Sequence, residues 1–286
     1  MNKEKKIVII GAGITGLATA HWLKKDGYNV TIIEAKSEVG GSMVTKKENG
    51  YLIDFGPNSG LETSPLIKIL VDDLNLGEQF IYGNKAGNKR YILKNDKLHA
   101  LPMNPKDFLS TKLFSTKAKL RLALEPFIGK SKDGYNQSIS EFVTRRLGRE
   151  FLDYAINPFV AGVYAGNPDK LSVKSAFPKL YRLEELYGGL IKGTIKGARE
   201  RKRSGEKSKQ DAAMFSFVDG MVTLPKAIHS EFGNAVMLNT TVTSVDKLNN
   251  KFQITYEQNE IESKLEADLV ISTAPSYVAS KIFNNI

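Results

Sequence analysis

The sequence predicts an α/β fold, a Rossmann-like, doubly wound βαβ sheet with a mainly helical domain inserted into it, and three observations predict it. The β-branched run Lys6-Ile7-Val8-Ile9-Ile10 ends abruptly in the turn Gly11-Ala12-Gly13-Ile14-Thr15-Gly16. A second such run, Tyr28 to Glu34, follows one helix length later. From Asp107 to about Arg203 the pattern turns helical before apolar strand-like runs return. At 286 residues the chain has room for two ordinary domains. The expected division is 1–85 and 211–286 for the sheet domain, with 86–210 as the insertion.

Each element has a local cause. Ile14 to Lys25 puts Leu17, Ala20 and Leu23 on one helical face and stops at Asp26-Gly27. Strands joined by such a helix lie parallel. Val39-Gly40-Gly41-Ser42-Met43 leads into a polar hairpin, then a strand, Tyr51 to Phe55, which ends at Gly56-Pro57-Asn58-Ser59. Ser64 caps a helix reaching Leu74, with Pro65 in its first turn, where the missing N–H costs nothing. Arg90 to Leu93, the turn Asn95-Asp96, and Lys97 to Leu101 read as a hairpin.

The helical stretch is expected to break at Pro126, Gly134, Pro158, Gly166-Asn167-Pro168 and Gly188-Gly189. Arg199 to Lys209 contains no apolar residue and reads as a solvated loop or linker. Beyond it come a strand-like Phe215-Ser216-Phe217, a helix from Thr223 to Phe232, and strands near Val236 to Leu238, Thr240 to Val245 and Lys251 to Tyr256, the last two joined at Asn249-Asn250. A final buried strand, Leu269 to Ser272, precedes Thr273-Ala274-Pro275.

Composition removes several chemistries. The absence of cysteine excludes disulfides, iron–sulfur clusters, thiolate zinc sites and thiol nucleophiles, so redox work falls to a bound cofactor. The three histidines, His21, His99 and His229, stand apart without a motif and read as surface or packing residues, so no metal is expected. Nothing reaches the roughly 18 apolar residues of a spanning helix, and the charged start lacks a signal-peptide apolar run, so a cytoplasmic protein is expected. The net charge of +10 is uneven: Ala86 to Gln210 holds 26 Lys and Arg against 12 Asp and Glu, leaving the remainder at −4. Such a basic segment faces an anionic substrate or membrane surface. Nucleic acid is not expected, because the lysines lack aromatic interleaving or a known binding module.

The glycine turn carries the chemistry. It follows a strand, opens a helix, and has an acid, Glu34, 18 residues after Gly16. Gly11 permits the tight turn, Gly13 lets a pyrophosphate approach the backbone, and Gly16 lets helix and strand pack. The free N–H groups and positive end of the helix favour the phosphates, while Glu34 suits ribose hydroxyls and repels a 2′-phosphate. Gly40-Gly41 adds a second stretch of backbone N–H groups, as a long bent dinucleotide requires, which favours FAD.

With the glycine turn, the acid and the Gly-Gly pair in this order, the sequence resembles the FAD-dependent amine oxidase superfamily. Within it, Gly56-Pro57-Asn58-Ser59, Leu124-Glu125-Pro126-Phe127, the run from Asn157 to Pro168, and Phe215-Ser216-Phe217 resemble the protoporphyrinogen and coproporphyrinogen oxidase family. The resemblance implies FAD held by Gly11, Ala12, Gly13, Ile14, Thr15, Gly16, Glu34, Ala35, Gly41, Ser42, Gly56, Pro57, Asn58, Ser59 and Val242. It also implies a porphyrinogen substrate gripped through Arg90, with Asn58 near the ring, and oxidation by hydride transfer to the flavin. The insertion would grip substrate and touch an anionic membrane peripherally. Homodimer formation, the general base, and the choice between the two porphyrinogens stay open. So do an amine oxidase or carotenoid desaturase activity, and a fragment that only binds FAD or membrane. Family members continue past the position matching Ile286 into a flavin-covering segment, so half of a flavin site is expected here.

Overall fold

The computed structural model describes residues 3–84, 90–102, 104–131, 137–204 and 212–284, without the side chains of 105 and 198–204. The expected break at Gly134 and the 205–209 part of the expected linker lie outside the described residues. The chain forms two compact units, residues 1–83 with 209–286 and residues 84–208.

The first unit begins with strand β1 (Lys6–Ile10), helix α1 (Ile14–Lys25) and strand β2 (Asn29–Ile33), then β3 (Thr45–Glu48), β4 (Tyr51–Asp54), β5 (Gly60–Leu61), α2 (Pro65–Asp73) and β6 (Phe80–Tyr82). The second unit holds β7 (Tyr91–Lys94), β8 (Lys97–Ala100), α3 (Pro105–Ser110), α4 (Thr116–Ala123), α5 (Ile139–Arg146), α6 (Arg149–Phe151), α7 (Asn157–Tyr164), α8 (Val173–Ala176), α9 (Pro178–Tyr187) and α10 (Leu190–Ser204). The first unit resumes with β9 (Met214–Phe217), α11 (Thr223–Ser230), β10 (Val236–Met237), β11 (Thr240–Leu248), β12 (Lys251–Gln258), β13 (Ile261–Ala267), β14 (Leu269–Ser272) and α12 (Ser276–Ile282).

In the first unit a parallel sheet runs in the order β10-β2-β1-β14, and an antiparallel sheet runs β11-β12-β13. Past the exposed Lys6, β1 is buried on both faces, which is why Ile7 to Ile10 are uninterruptedly apolar. Ile7 and Ile9 pack with Leu17 and Ala20 of α1, Val71 of α2 and Ile228 of α11. Val8 and Ile10 point the other way, toward Val242, Val245 and Ile254 of the antiparallel sheet. The alternation along one strand thus glues two layers to opposite faces of a third. Under α1, the His21 ring is bracketed by carboxylates, Glu231 Oε2 at 2.8 Å from Nδ1 and Asp73 Oδ2 at 3.2 Å from Nε2. Lys25 and His21 together hold the Asp73 carboxyl below its ordinary value. His21 is a packing residue that ties three helices together.

The second unit is helical around Ile139, Phe142, Val143, Leu152, Val160 and Val173. Ser138 and Glu141 close a capping box on α5. At its centre Arg146 is fully buried, and its Nη1 donates to Glu125 Oε1 at 2.9 Å and Ile128 O at 3.0 Å. Arg146 also pairs with Glu184, as does Arg145 at 2.8 Å. Glu125, fully buried as well, accepts the Leu190 and Ile191 amides at 2.7 and 3.0 Å and so caps the start of α10.

Two expectations need correction, and one strand is not announced by the pattern. Pro158 does not break the helical run: a π turn at Leu152–Ile156 leads straight into α7, whose first turn tolerates a residue without an N–H. Residues 199–204 continue α10 as helix rather than loop, because strong helix formers extend a helix whose first turn is already anchored. β13 was not foreseen; the turn at Asn259 and Glu260, both at positive φ, folds an outwardly polar segment back onto β12.

Candidate functional site

The carboxyl ends of β1, β2 and β14 open onto a cleft of about 640 Å³. A parallel sheet binds ligands at that edge, since the loops there diverge and helix N-termini point into the gap. Gly11, Gly13, Ile14 and Thr15 line it, with Glu34, Ala35, Lys36, Gly40, Gly41 and Ser42 after β2 and Val242 from β11. The cleft also gathers Thr240, Thr241, Thr273, Ala274, Pro275, Tyr277 and Val278, none of which the motif singled out. For those from Thr273 on a signal existed: an apolar strand placed beside β1 must deliver the residues after it to this edge, although β14 is half-buried and not buried as its sequence suggests.

The glycines do different jobs. Gly11 sits at φ +105°, and a Cβ there would meet Thr273 Oγ1 at 2.8 Å. A Cβ on Gly16 would lie 2.0 Å from Gly11 O, so Gly16 is fixed by packing inside the turn. Gly13 is different. A Cβ on it would find nothing nearer than Gly41 Cα at 3.9 Å, so its bareness serves nothing within the chain. Gly13 bridges to Gly40 as two parallel strands would, which brings the second glycine pair against the first turn. Gly13 is also the N-cap of α1, and no side chain caps that helix. An uncapped helix start behind bare backbone can hold an anion, and the lining runs on from it past Glu34 to Val242.

Glu34 is 9% exposed. Its Oε2 accepts the Ala12 amide at 2.7 Å and its Oε1 the Lys36 amide at 2.9 Å, and each oxygen keeps a lone pair for a ribose hydroxyl. Ala12 is buried with its carbonyl accepting from Gly40 N at 2.9 Å, so it supports the cleft from beneath. Lys36 Nζ donates to Gly41 O at 3.3 Å, and Lys36 is the basic side chain on the lining.

Gly56 packs against the Ser42 end of the cleft; a Cβ there would lie 1.9 Å from Ser42 O. Pro57, Asn58 and Ser59 lead away from the cleft lining toward β9, where Ser216 Oγ donates to Asn58 O at 3.0 Å. Arg90 belongs to the second unit, at the base of the β7–β8 hairpin, where its carbonyl accepts Leu101 N at 2.8 Å and its side chain is exposed.

Comparison with known proteins converges on one family. The family model for flavin containing amine oxidoreductase matches residues 14–285. Protoporphyrinogen oxidase 2, chloroplastic/mitochondrial, of Arabidopsis thaliana is 36% identical over 95% of this chain and 57% of its own length. Coproporphyrinogen III oxidase of Bacillus subtilis is 33% identical over 99% of this chain and 62% of its own. The chain thus spans somewhat more than half the length of these curated relatives. In fold it is similar to putrescine oxidase bound to putrescine, with a TM-score of 0.67 at 19% identity over 99% of this chain and 61% of the other. A family match that starts inside the glycine turn and continues through the insertion to β14 and α12 leaves one assignment: the chain belongs to the flavin containing amine oxidoreductases.

Proposed function

We propose that the protein is an FAD-dependent porphyrinogen oxidase, acting on protoporphyrinogen IX or coproporphyrinogen III in haem synthesis. The carrying observation is identity of about a third, along nearly the whole chain, to enzymes bearing both names. FAD would supply a hydride acceptor at N5 that oxygen or another acceptor reoxidises. The chain's own residues then have these tasks. The bare face of Gly13 and the first-turn amides of Ile14, Thr15 and Gly16 take the pyrophosphate, Gly11 and Ala12 shape that turn, Glu34 takes the adenosine ribose, and Ala35 and Val242 flank the adenosine. Gly41 and Ser42 add backbone donors from the second turn. Gly56, Pro57, Asn58 and Ser59 lie along the flavin side, and Arg90 pairs with a propionate of the substrate, a charge-assisted contact of roughly 1.5–3 kcal/mol.

The basic insertion suits a carboxylated tetrapyrrole and the anionic cytoplasmic face of a membrane. Leu120 on α4, Leu124 just past its end and Phe127 in the short turn that follows are 63%, 55% and 85% exposed. Lys117 is exposed on α4. Among the described residues no helix is long and apolar enough to cross a membrane.

The test is a flavin spectrum of the chain, before and after reconstitution with FAD, followed by anaerobic addition of each porphyrinogen. Bleaching by a porphyrinogen but not by amines is the expected result. A chain that stays colourless after reconstitution overturns the proposal. Gly13→Val should fold and yet retain no flavin, because its side chain would fill the cleft; normal flavin content there would remove the site.

A further inference from the structure

Thr273 has no task in the reading above, although it lies on the cleft and follows the last strand. Its backbone N–H donates to Ile10 O at 2.9 Å, which continues the pairing of β14 with β1. Its hydroxyl oxygen lies 3.0 Å from the same carbonyl and 3.1 Å from Gly11 O. A hydroxyl has one hydrogen to give. Ile10 O is already satisfied by the backbone, so Gly11 O is where the hydroxyl hydrogen does most.

We infer that Thr273 is a positioning residue for the dinucleotide grip: its hydroxyl turns the Gly11 carbonyl away from the cleft. The inference rests on the reading that the cleft holds a pyrophosphate. An anion site must show N–H groups and hide C=O groups, since one carbonyl dipole facing a phosphate offsets what a neighbouring amide contributes. At the turn that sorting is visible atom by atom. Gly11 N donates to Ile33 O at 2.8 Å and Ala12 N to Glu34 at 2.7 Å, so both peptide planes are fixed from the N–H side. Gly11 O is tucked between Thr273 Oγ1 and the bare Cα of Gly16. The hydroxyl closes that pocket from 262 residues away in sequence. What is left facing the cleft is the uncapped start of α1.

The experiment measures ADP binding by calorimetry on the full chain, alongside FAD binding. ADP carries the pyrophosphate and adenosine and needs nothing from the flavin side. Thr273→Val keeps the shape and removes the hydroxyl, and should weaken ADP roughly fivefold, the worth of about one neutral hydrogen bond. Thr273→Ser, which keeps the hydroxyl, should bind within about twofold of the parent. The folded fraction of each apoprotein, from a urea curve, corrects for lost stability, which alone leaves the affinity of folded molecules unchanged. If the valine variant does not fold, Thr273→Ala takes its place in the same comparison. Equal ADP affinity in the parent and the hydroxyl-free variant, or a serine variant as weak as valine, overturns the inference. A parent chain that binds neither ADP nor FAD overturns the dinucleotide reading itself, and the inference falls with it.

Discussion

The two units solve the burial of polar groups in opposite ways. In the first, the main core is apolar, His21 and its two carboxylate partners aside, and the proposed site presents backbone amides set by glycines, Glu34 and Thr273. In the second, Arg146, Glu125 and Glu184 lie inside the fold, and their charges hold helix ends in place. A backbone site is set by close approach and suffers from added atoms. A buried charge cluster is set by partners and suffers from removed ones.

The largest expected effect is therefore a removal in the second unit. Arg146→Met should cost about 3–5 kcal/mol in urea unfolding, because Glu125 stays buried with its counter-charge gone. Combining it with Glu125→Gln should return part of that loss, since the glutamine carbonyl still accepts an amide from the start of α10. A double variant as unstable as the single would show that packing, and not charge, dominates there.

An addition in the first unit comes next. Gly16→Ala should destabilise the apoprotein by about 1–3 kcal/mol through the clash with Gly11 O. Gly13→Ser should leave apoprotein stability within about 0.5 kcal/mol, because its Cβ enters open space at a position where serine caps well. If both variants melt alike, the division between a packing glycine and a ligand-facing glycine is wrong.

The smallest effect is that of acid. Burial works to raise the Glu184 pKa, but the hydrogen bonds from Arg146 and Arg145 and the Ser131 amide outweigh it, and the net value lies below the ordinary 4.5. A group depressed in the folded state stabilises fully above its unfolded value, and that contribution disappears as pH falls through the folded value. Urea midpoints should thus hold from pH 7 to about 5 and fall below about 4.5. Glu184→Gln should flatten the fall.

The same contrast explains what the sequence showed. The parallel sheet and α1 were legible because strand, turn and helix are signalled by neighbours in sequence, and the glycine spacing named the ligand class. Thr273 and Lys36 were not, since their places depend on which strand lies beside β1 and how the loop after β2 folds. The insertion could be read as helical and basic, yet nothing local announced that Glu125 would pair with Arg146 and cap α10. Pro158 misled for a related reason: a proline is tolerated in a helix's first turn, and nothing local marks that α7 starts at Asn157.

The strand order has a consequence for synthesis. β1 finds one neighbour, β2, almost at once, but its other neighbour is β14, near residue 270. At roughly 5–20 residues per second, the ribosome would need on the order of 10–50 s between the two. During that interval the inner edge of β1 has no partner, and such an edge invites wrong pairing. The insertion made meanwhile holds both ends of its own contacts, such as Glu125 with the start of α10, before β14 emerges, so it can finish first. The cleft, begun at β1, cannot take shape until β14 has emerged.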